Sequence, residues 1–237
     1  MSKNDPDNLA QISCEQFKDG AWRSFADTAA PEIPITLTLD SGKEIRLWAF
    51  PHDLPDLALG HALLDHCPPG HAPSVKEITP RTFTVRFVPV DSPGPAPRPV
   101  SLTVPDILQN AVRFMELPGH FKATGCFHRA ALYDPAARGF IRHAEDIGRH
   151  NCLDRLAGWA FGQGLTLCGF ALFVTARATA SLVTKAVRSG CAIMISRSAV
   201  TTGAVALARA AGMTLIGFSR ENRFSVFTDP QARVVHE

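Results

Sequence analysis

The chain carries 237 residues, 46% of them hydrophobic and 19% charged. That balance can fill a real core and excludes a wholly disordered or collagen-like chain. Twenty-four Lys and Arg against 22 Asp and Glu leave a formal charge of +2, too weak a bias for general nucleic-acid binding.

The first ten residues are polar and lack the apolar core of a signal peptide. The most apolar run, Gly164 to Ala176, is short of the roughly 20 residues that a membrane span needs. Cysteines at 14, 67, 126, 152, 168 and 191 include no Cys-x-x-Cys, so neither a zinc ribbon nor a vicinal dithiol is available. The expectation is a cytoplasmic protein with reduced thiols that does not engage a membrane.

Ile33 to Leu39 and Glu44 to Phe50 alternate apolar and polar residues around Asp40-Ser41-Gly42, which predicts a hairpin. A helix follows over Asp53 to His66, with Leu54, Leu57, Ala58, Leu63 and Leu64 on its inner side and Pro68-Pro69-Gly70 to stop it. Val75 to Ile78 and Thr82 to Val88 are two further strands. Prolines at 89, 93, 95, 97 and 99 forbid helix or central strand. They are read as a linker dividing a small β-rich region, 1–99, from an α/β domain, 100–237.

In the second half, Asp106 to Leu117 is an amphipathic helix with Ile107, Leu108, Ala111, Val112 and Met115 inward. Arg129 to Tyr133 and Gly139 to Glu145 pair around Asp134-Pro135. His150 to Phe161 is helical, with Leu153, Leu156, Ala157, Ala160 and Phe161 as its inner stripe and Asp154 and Arg155 as surface charges. Strands at Cys168–Thr175, Cys191–Ser196 and Met213–Phe218 then alternate with helices at Thr179–Arg188 and Thr202–Ala211, and a last strand runs Phe224–Thr228. Continuous apolar strands joined by amphipathic helices predict parallel strands covered on both faces.

Ligands of such sheets bind beyond the carboxyl ends of the strands. Those turns here carry Thr175 to Thr179 with Arg177, Ser196 to Gly203 with Arg197, Ser198 and Thr201, and Ser219 to Arg223 with Arg220. Arginine in three consecutive turns, with hydroxyls in the first two, is equipment for an anion, phosphate foremost. Ordinary capping by Ser and Thr beside solvated arginines is the plainer alternative.

Glu145-Asp146-Ile147-Gly148-Arg149-His150-Asn151 is the densest polar run. Gly148 permits a tight turn, Asp146 can cap the helix or hold Arg149 or His150, and His150 is the natural acid–base group. In Thr124-Gly125-Cys126-Phe127-His128, an extended backbone puts Cys126 and His128 on one face about 7 Å apart at Cα. An imidazolium there would favour the nucleophilic thiolate. His143-Ala144-Glu145 matches the first half of the zinc deaminase signature, but no Pro-Cys-x-x-Cys follows, so no metal site is expected.

These motifs, continued by Lys185, Gly190, Ser196, Ser198-Ala199, Thr201, Val205-Ala206, Gly212, Thr214 to Phe218, Arg220 and Arg223 to Thr228, resemble those of the formate dehydrogenase accessory sulfurtransferase family (FdhD). The resemblance is strong from Thr124 to Thr228. It implies a cytidine deaminase-like three-layer α/β/α core with a mixed sheet, in a homodimer. It implies persulfide sulfur accepted from a cysteine desulfurase and passed to the bis-molybdopterin guanine dinucleotide cofactor of a molybdenum or tungsten formate dehydrogenase. Thr124, Gly125, Glu145, Asp146, Gly148, Arg149, Asn151, Arg177, Lys185, Arg197, Ser198, Thr201 and Arg220 are its implied cofactor-binding positions, and Cys126, His128 and His150 the catalytic ones.

The chain departs from the family in four places. The family's Cys-x-x-Cys loop corresponds to Pro89–Lys122, which holds no cysteine, and the second glycine of Thr-Gly-Gly is Cys126. Ser-Gly-Arg is Thr175-Ala176-Arg177, and Ser-Ala-Pro is Ser198-Ala199-Val200. Two readings follow: Cys126, activated by His128 or His150, carries the sulfur, or the protein binds the cofactor or a nucleotide without moving sulfur.

Overall fold

A computed structural model describes residues 9–90 and 98–236. It opens on a two-stranded ribbon, β1 (Ala10–Lys18) and β2 (Ala21–Ala29), which the polar start of the chain did not announce. Asp19 and Gly20, at φ 53° and 82°, form its turn, the left-handed pair that Asp-Gly favours.

The expected hairpin follows as β3 (Ile33–Leu39) and β4 (Glu44–Ala49). Next come α1 (Leu54–His61), extended by a π-helical turn over Ala62–His66, and β5 (His71–Thr79) and β6 (Thr82–Pro89). The sheet runs β4-β3-β6-β5. Ile35, Leu37, Phe83 and Val85 on its inner face cover Leu57 and Ala58 of α1. Most of the proposed proline linker, residues 91–97, lies outside the described residues.

The second half adds β7 (Leu102–Thr103), α2 (Val104–Glu116), α3 (Phe121–Thr124), β8 (His128–Asp134), β9 (Gly139–Asp146) and α4 (Arg149–Gly162). Then come β10 (Ala171–Val174), α5 (Ala180–Arg188), β11 (Ile193–Ser196), α6 (Thr202–Ala210), β12 (Thr214–Arg220), β13 (Arg223–Thr228) and β14 (Val234–Val235). β10, β11 and β12 are parallel, with antiparallel strands on both flanks, in the order β13-β12-β11-β10-β8-β9. Side-chain alternation splits the core. Ala171 and Phe173 face Ile107 and Phe114 of α2, while Leu172 and Val174 face Leu153, Leu156, Leu182 and Val183. This is the expected α/β/α arrangement with a mixed sheet.

Three expectations need correction. On α2 the buried stripe is Ile107, Asn110, Ala111 and Phe114, and Val112 faces solvent. The stripe follows i, i+3, i+4, i+7, and Asn110 is tolerated inside because its amide donates to the Asp106 carbonyl at 2.8 Å. The strand predicted from Cys168 begins only at Ala171. Asp154 and Arg155 are not surface charges but buried, at 0% and 4% exposure.

The cause of the last correction is a close helix crossing. A Cβ on Gly158 would lie 1.9 Å from the Asp56 carbonyl oxygen, and one on Gly60 1.7 Å from that of Asp154. Glycine at both positions lets α1 lie directly on α4. Since α4 rests on the sheet with its other side, its middle from Asn151 to Gly158 is buried all round, and only its ends, with Arg149, His150, Trp159, Phe161 and Gly162, reach water. Arg142 also ties the two halves, reaching Asp53 at 2.7 Å.

Candidate functional site at the carboxyl edge of the sheet

Because β8 is antiparallel to β10, its amino end shares an edge with the carboxyl ends of β9, β10, β11 and β12. Backbone hydrogen bonds fasten the connecting segments there. The Thr175 amide donates to Arg129 O (3.0 Å), that of Arg197 to Val174 O (2.9 Å), and that of Thr201 to Ala178 O (3.0 Å). The Ala178 amide donates to Ala199 O and that of Phe218 to Ser198 O, both at 2.9 Å. The turns bearing Arg177, Arg197, Ser198 and Thr201 therefore sit side by side. Arg177 and Arg220 are exposed, and Arg197 approaches Glu221 at 3.7 Å. Arg220 stands not in a loop but at the end of β12, paired with Arg223 of β13.

Helices α4, α5 and α6 all start at this edge. Thr201 caps α6, its Oγ1 accepting the Ala204 amide at 3.3 Å. Gly148 before α4 and Thr179 before α5 make no side-chain cap bond, so first-turn amides remain available to an anion. Arg149 opens α4, and its Nε is buried with no hydrogen-bond partner among the described residues.

Cys126 lies exposed on this edge. It follows Gly125, whose φ of 65° ends α3 in the left-handed region, and its amide donates to Thr124 Oγ1 at 3.1 Å. The segment is not an extended strand: pairing starts only at His128, opposite Asp146. Phe127 anchors it, with ring centroids 4.9 Å from Phe50 and 5.3 Å from His120. Burial, reinforced by Arg149, holds the His128 imidazole below the usual histidine range. Cys152 lies buried beneath, its thiol donating to His128 O at 3.4 Å, and burial raises its pKa far above the ordinary value.

Most of the polar run from Glu145 to Asn151 serves structure. Asp146 is fully buried. It accepts from Arg155 Nε (3.1 Å) and Nη2 (2.6 Å), the Gly148 amide (2.9 Å), Asn151 Nδ2 (2.9 Å) and the Phe50 amide (3.3 Å). Neither Arg149 nor His150 is its partner. Asn151 Nδ2 also donates to Trp48 O at 2.8 Å, and Arg155 to Phe50 O at 2.7 Å and to His52 O. Glu145 is engaged by the segment leading into α3. Buried Arg129 meets it at 2.6 Å, and it accepts the amides of His120 and Phe121 at 2.5 and 3.1 Å.

His150 and Lys185 line a separate cavity of about 510 Å³ with Leu47, Asp65 and Ser181. His150 Nε2 lies 3.0 Å from Ser181 Oγ, and burial and then Arg149 hold its pKa down. Lys185 Nζ reaches Asp154 Oδ1 at 2.6 Å and Asp65 at 2.7 Å, and His61 Nδ1 lies 3.2 Å from both carboxylates. His61, Asp65 and Asp154 resemble a cation's ligand set, but the Lys185 ammonium occupies the position between the carboxylates.

The edge thus unites Cys126, His128, Gly148, Arg149, Arg177, Arg197, Ser198, Thr201 and Arg220, with Thr124 and Gly125 placing the thiol. Lys185 and His150 turn to the neighbouring cavity, and Glu145, Asp146 and Asn151 hold the scaffold. Sequence reasoning missed Arg129, Trp48, Phe50, Arg155 and Ser181. Of these only Arg155 had a signal, a charge amid apolar residues on all sides of one helix.

The FdhD/NarQ family model matches residues 81–234 of this chain. Two curated relatives described as "Sulfur carrier protein FdhD", from Staphylococcus aureus strain MRSA252 and Staphylococcus haemolyticus strain JCSC1435, are each 33% identical over 132 residues. That is 56% of this chain and 49% of theirs, so the chain spans about half the length of the curated relatives it matches. The crystal structure of a candidate formate dehydrogenase accessory protein from Desulfotalea psychrophila superposes with a TM-score of 0.80, covering 96% of this chain and 99% of that one. At 21% identity the likeness is one of fold.

Proposed function

Since the chain belongs to the FdhD/NarQ family, we propose that it is a sulfur carrier for formate dehydrogenase maturation, with Cys126 as the thiol that bears the sulfur. The Cys126 thiolate attacks the outer sulfur of a cysteine desulfurase persulfide. The S–S bond breaks, the desulfurase thiolate leaves, and Cys126 becomes the persulfide, with no oxidant consumed. The sulfur is destined for a bis-molybdopterin guanine dinucleotide cofactor of a molybdenum or tungsten formate dehydrogenase, bound as cargo. The uncapped starts of α4 and α5, the unpartnered Arg149 Nε, and Arg177 and Arg197 are a donor set that suits its phosphates.

The observation that carries this reading is the exposed position of Cys126 beside those donors, while Cys152 and Cys191 are buried. Incubation with a cysteine desulfurase and cysteine should add the mass of one sulfur atom, removable by a phosphine and absent in Cys126→Ala. No adduct, or an adduct on another cysteine, overturns it.

A second reading is favoured by one fact: among the described residues, no hydrogen bond joins the Cys126 thiol to His128 or His150. In that reading the protein holds the cofactor or a nucleotide as a chaperone. GDP affinity by calorimetry, equal in wild type and Cys126→Ala and accompanied by no sulfur adduct, would establish it in place of the first.

A further inference from the structure

The cavity of about 510 Å³ beside the edge holds a second nucleophile. His150 and Ser181 stand second in α4 and α5, so two helix starts bring them together, with His150 Nε2 3.0 Å from Ser181 Oγ. That is hydrogen-bond reach for a nucleophile and its base. Ser181 is exposed to solvent. Thr179 Oγ1, 3.2 Å from Ser181 Oγ, can donate to it and leave the serine proton for the imidazole. Burial and then Arg149 hold the His150 pKa below the usual histidine range, so at neutral pH the ring is a base. Thr179 makes no cap bond, and the first intrahelical bond of α5 runs from the Val183 amide to Thr179 O at 2.9 Å. The Ser181 amide therefore remains a donor close to where an oxyanion would form. Asp65, in the π-helical turn Ala62–His66, lines the same cavity, and such turns are frequent at functional sites.

We propose that Ser181 and His150 are a nucleophile–base pair that hydrolyses short acyl esters and thioesters in this cavity. Ser181 Oγ attacks the acyl carbon as its proton passes to His150 Nε2. The bond to the leaving oxygen or sulfur breaks, the imidazolium returns the proton to that leaving group, and Ser181 is left acylated. Water, deprotonated by His150, then cleaves the acyl-serine and restores the Ser181 hydroxyl. Among the described residues no carboxylate bonds the His150 ring, so the third member of a triad is missing. That limits the pair to activated acyl groups, whose alcohol or thiol leaves more readily than an amine. Leu47 gives the cavity an apolar wall for a short acyl chain. Cys126 takes no part.

p-Nitrophenyl acetate tests the pair in the full chain carrying Cys126→Ala, which removes the exposed thiol as a competing acceptor. Nitrophenolate release should outpace the buffer reaction, and peptide mass spectrometry should place one acetyl group on Ser181. Adding Ser181→Ala should abolish both, and adding His150→Ala should slow release about a hundredfold. Because Ser181 is exposed, its alanine variant should unfold at the temperature of its parent, which separates lost turnover from lost fold. Release no faster than in buffer, acetylation confined to other residues, or turnover indifferent to Ser181→Ala overturns the proposal. Sulfur loading is not measured in this assay, so its outcome bears on the Ser181–His150 pair alone.

Discussion

Asp146→Ala removes an acceptor of five hydrogen bonds from a fully buried position. The largest consequence falls on Arg155, whose guanidinium is only 4% exposed and loses its 2.6 Å counter-ion. Breaking such a buried pair costs about 3–5 kcal/mol. The Phe50 and Gly148 amides and the Asn151 side chain lose an acceptor too. An unsatisfied buried donor costs about 1–3 kcal/mol, but the vacated space admits a water that serves several of them. A total of about 4–6 kcal/mol is expected, a large share of a whole domain's stability of about 5–15 kcal/mol. Urea unfolding of the full chain should show the midpoint moving down accordingly. Asp146→Asn keeps an acceptor for Gly148 and Asn151 and should lose less. A loss under about 1 kcal/mol in the alanine variant would refute the view that Asp146 organises this edge.

Gly158→Ala drives a methyl group into the Asp56 carbonyl and should cost about 1–3 kcal/mol or more, whereas Gly162→Ala, with open space around it, should be close to neutral. Equal effects of the two in thermal unfolding would contradict the close crossing. Burial holds the pKa of His66, His128, His143 and His150 below the ordinary value, aided at His128 and His150 by Arg149 and at His143 by Arg129. Such groups bind fewer protons folded than unfolded, so stability rises with pH between their folded values and about 6.5 and is then fully present. Tm should therefore climb as pH rises from the acidic side towards about pH 7 and then level off, and a flat or falling profile would exclude this. Alkylation by iodoacetamide, followed by mass spectrometry, should mark Cys126 first. Cys152 and Cys191 should resist until unfolding, being buried, with the Cys191 thiol pushed up to about 12. Labelling of either before Cys126 would argue against the burial described.

What was readable in the chain was what local pattern and turn chemistry encode. Period-two alternation located β3 and β4. Continuous apolar runs located the parallel strands, and because crossover loops fall at strand carboxyl ends, the shared edge of Arg177 and Arg197 followed from order alone. What was not readable depends on contacts distant in sequence. Asp154 and Arg155 look like surface charges until Gly60 and Gly158 bring a second helix over them. Asp146 looks like a helix cap or a partner for Arg149 or His150 until the Phe50 amide and the Arg155 guanidinium arrive, and Arg129 like an ordinary strand residue until Glu145 pairs with it. The β1–β2 ribbon escaped notice because its strands bury little against their own chain and in no regular order, leaving no clear alternation to read.

The bond between the Phe50 amide and Asp146 joins residues 96 apart, and the family match begins only at residue 81. The segment by which the chain is recognised is therefore not autonomous. Cut out on its own, it would leave Arg155 and Asn151 reaching for the missing backbone at Trp48, Phe50 and His52. Its scaffold also closes a loop of that length, and the entropy of that closure is offset only when the buried Asp146 and Arg155 bonds form together. The position of Cys126 thus depends on the amino-terminal half of the chain, through Phe50 beneath Phe127.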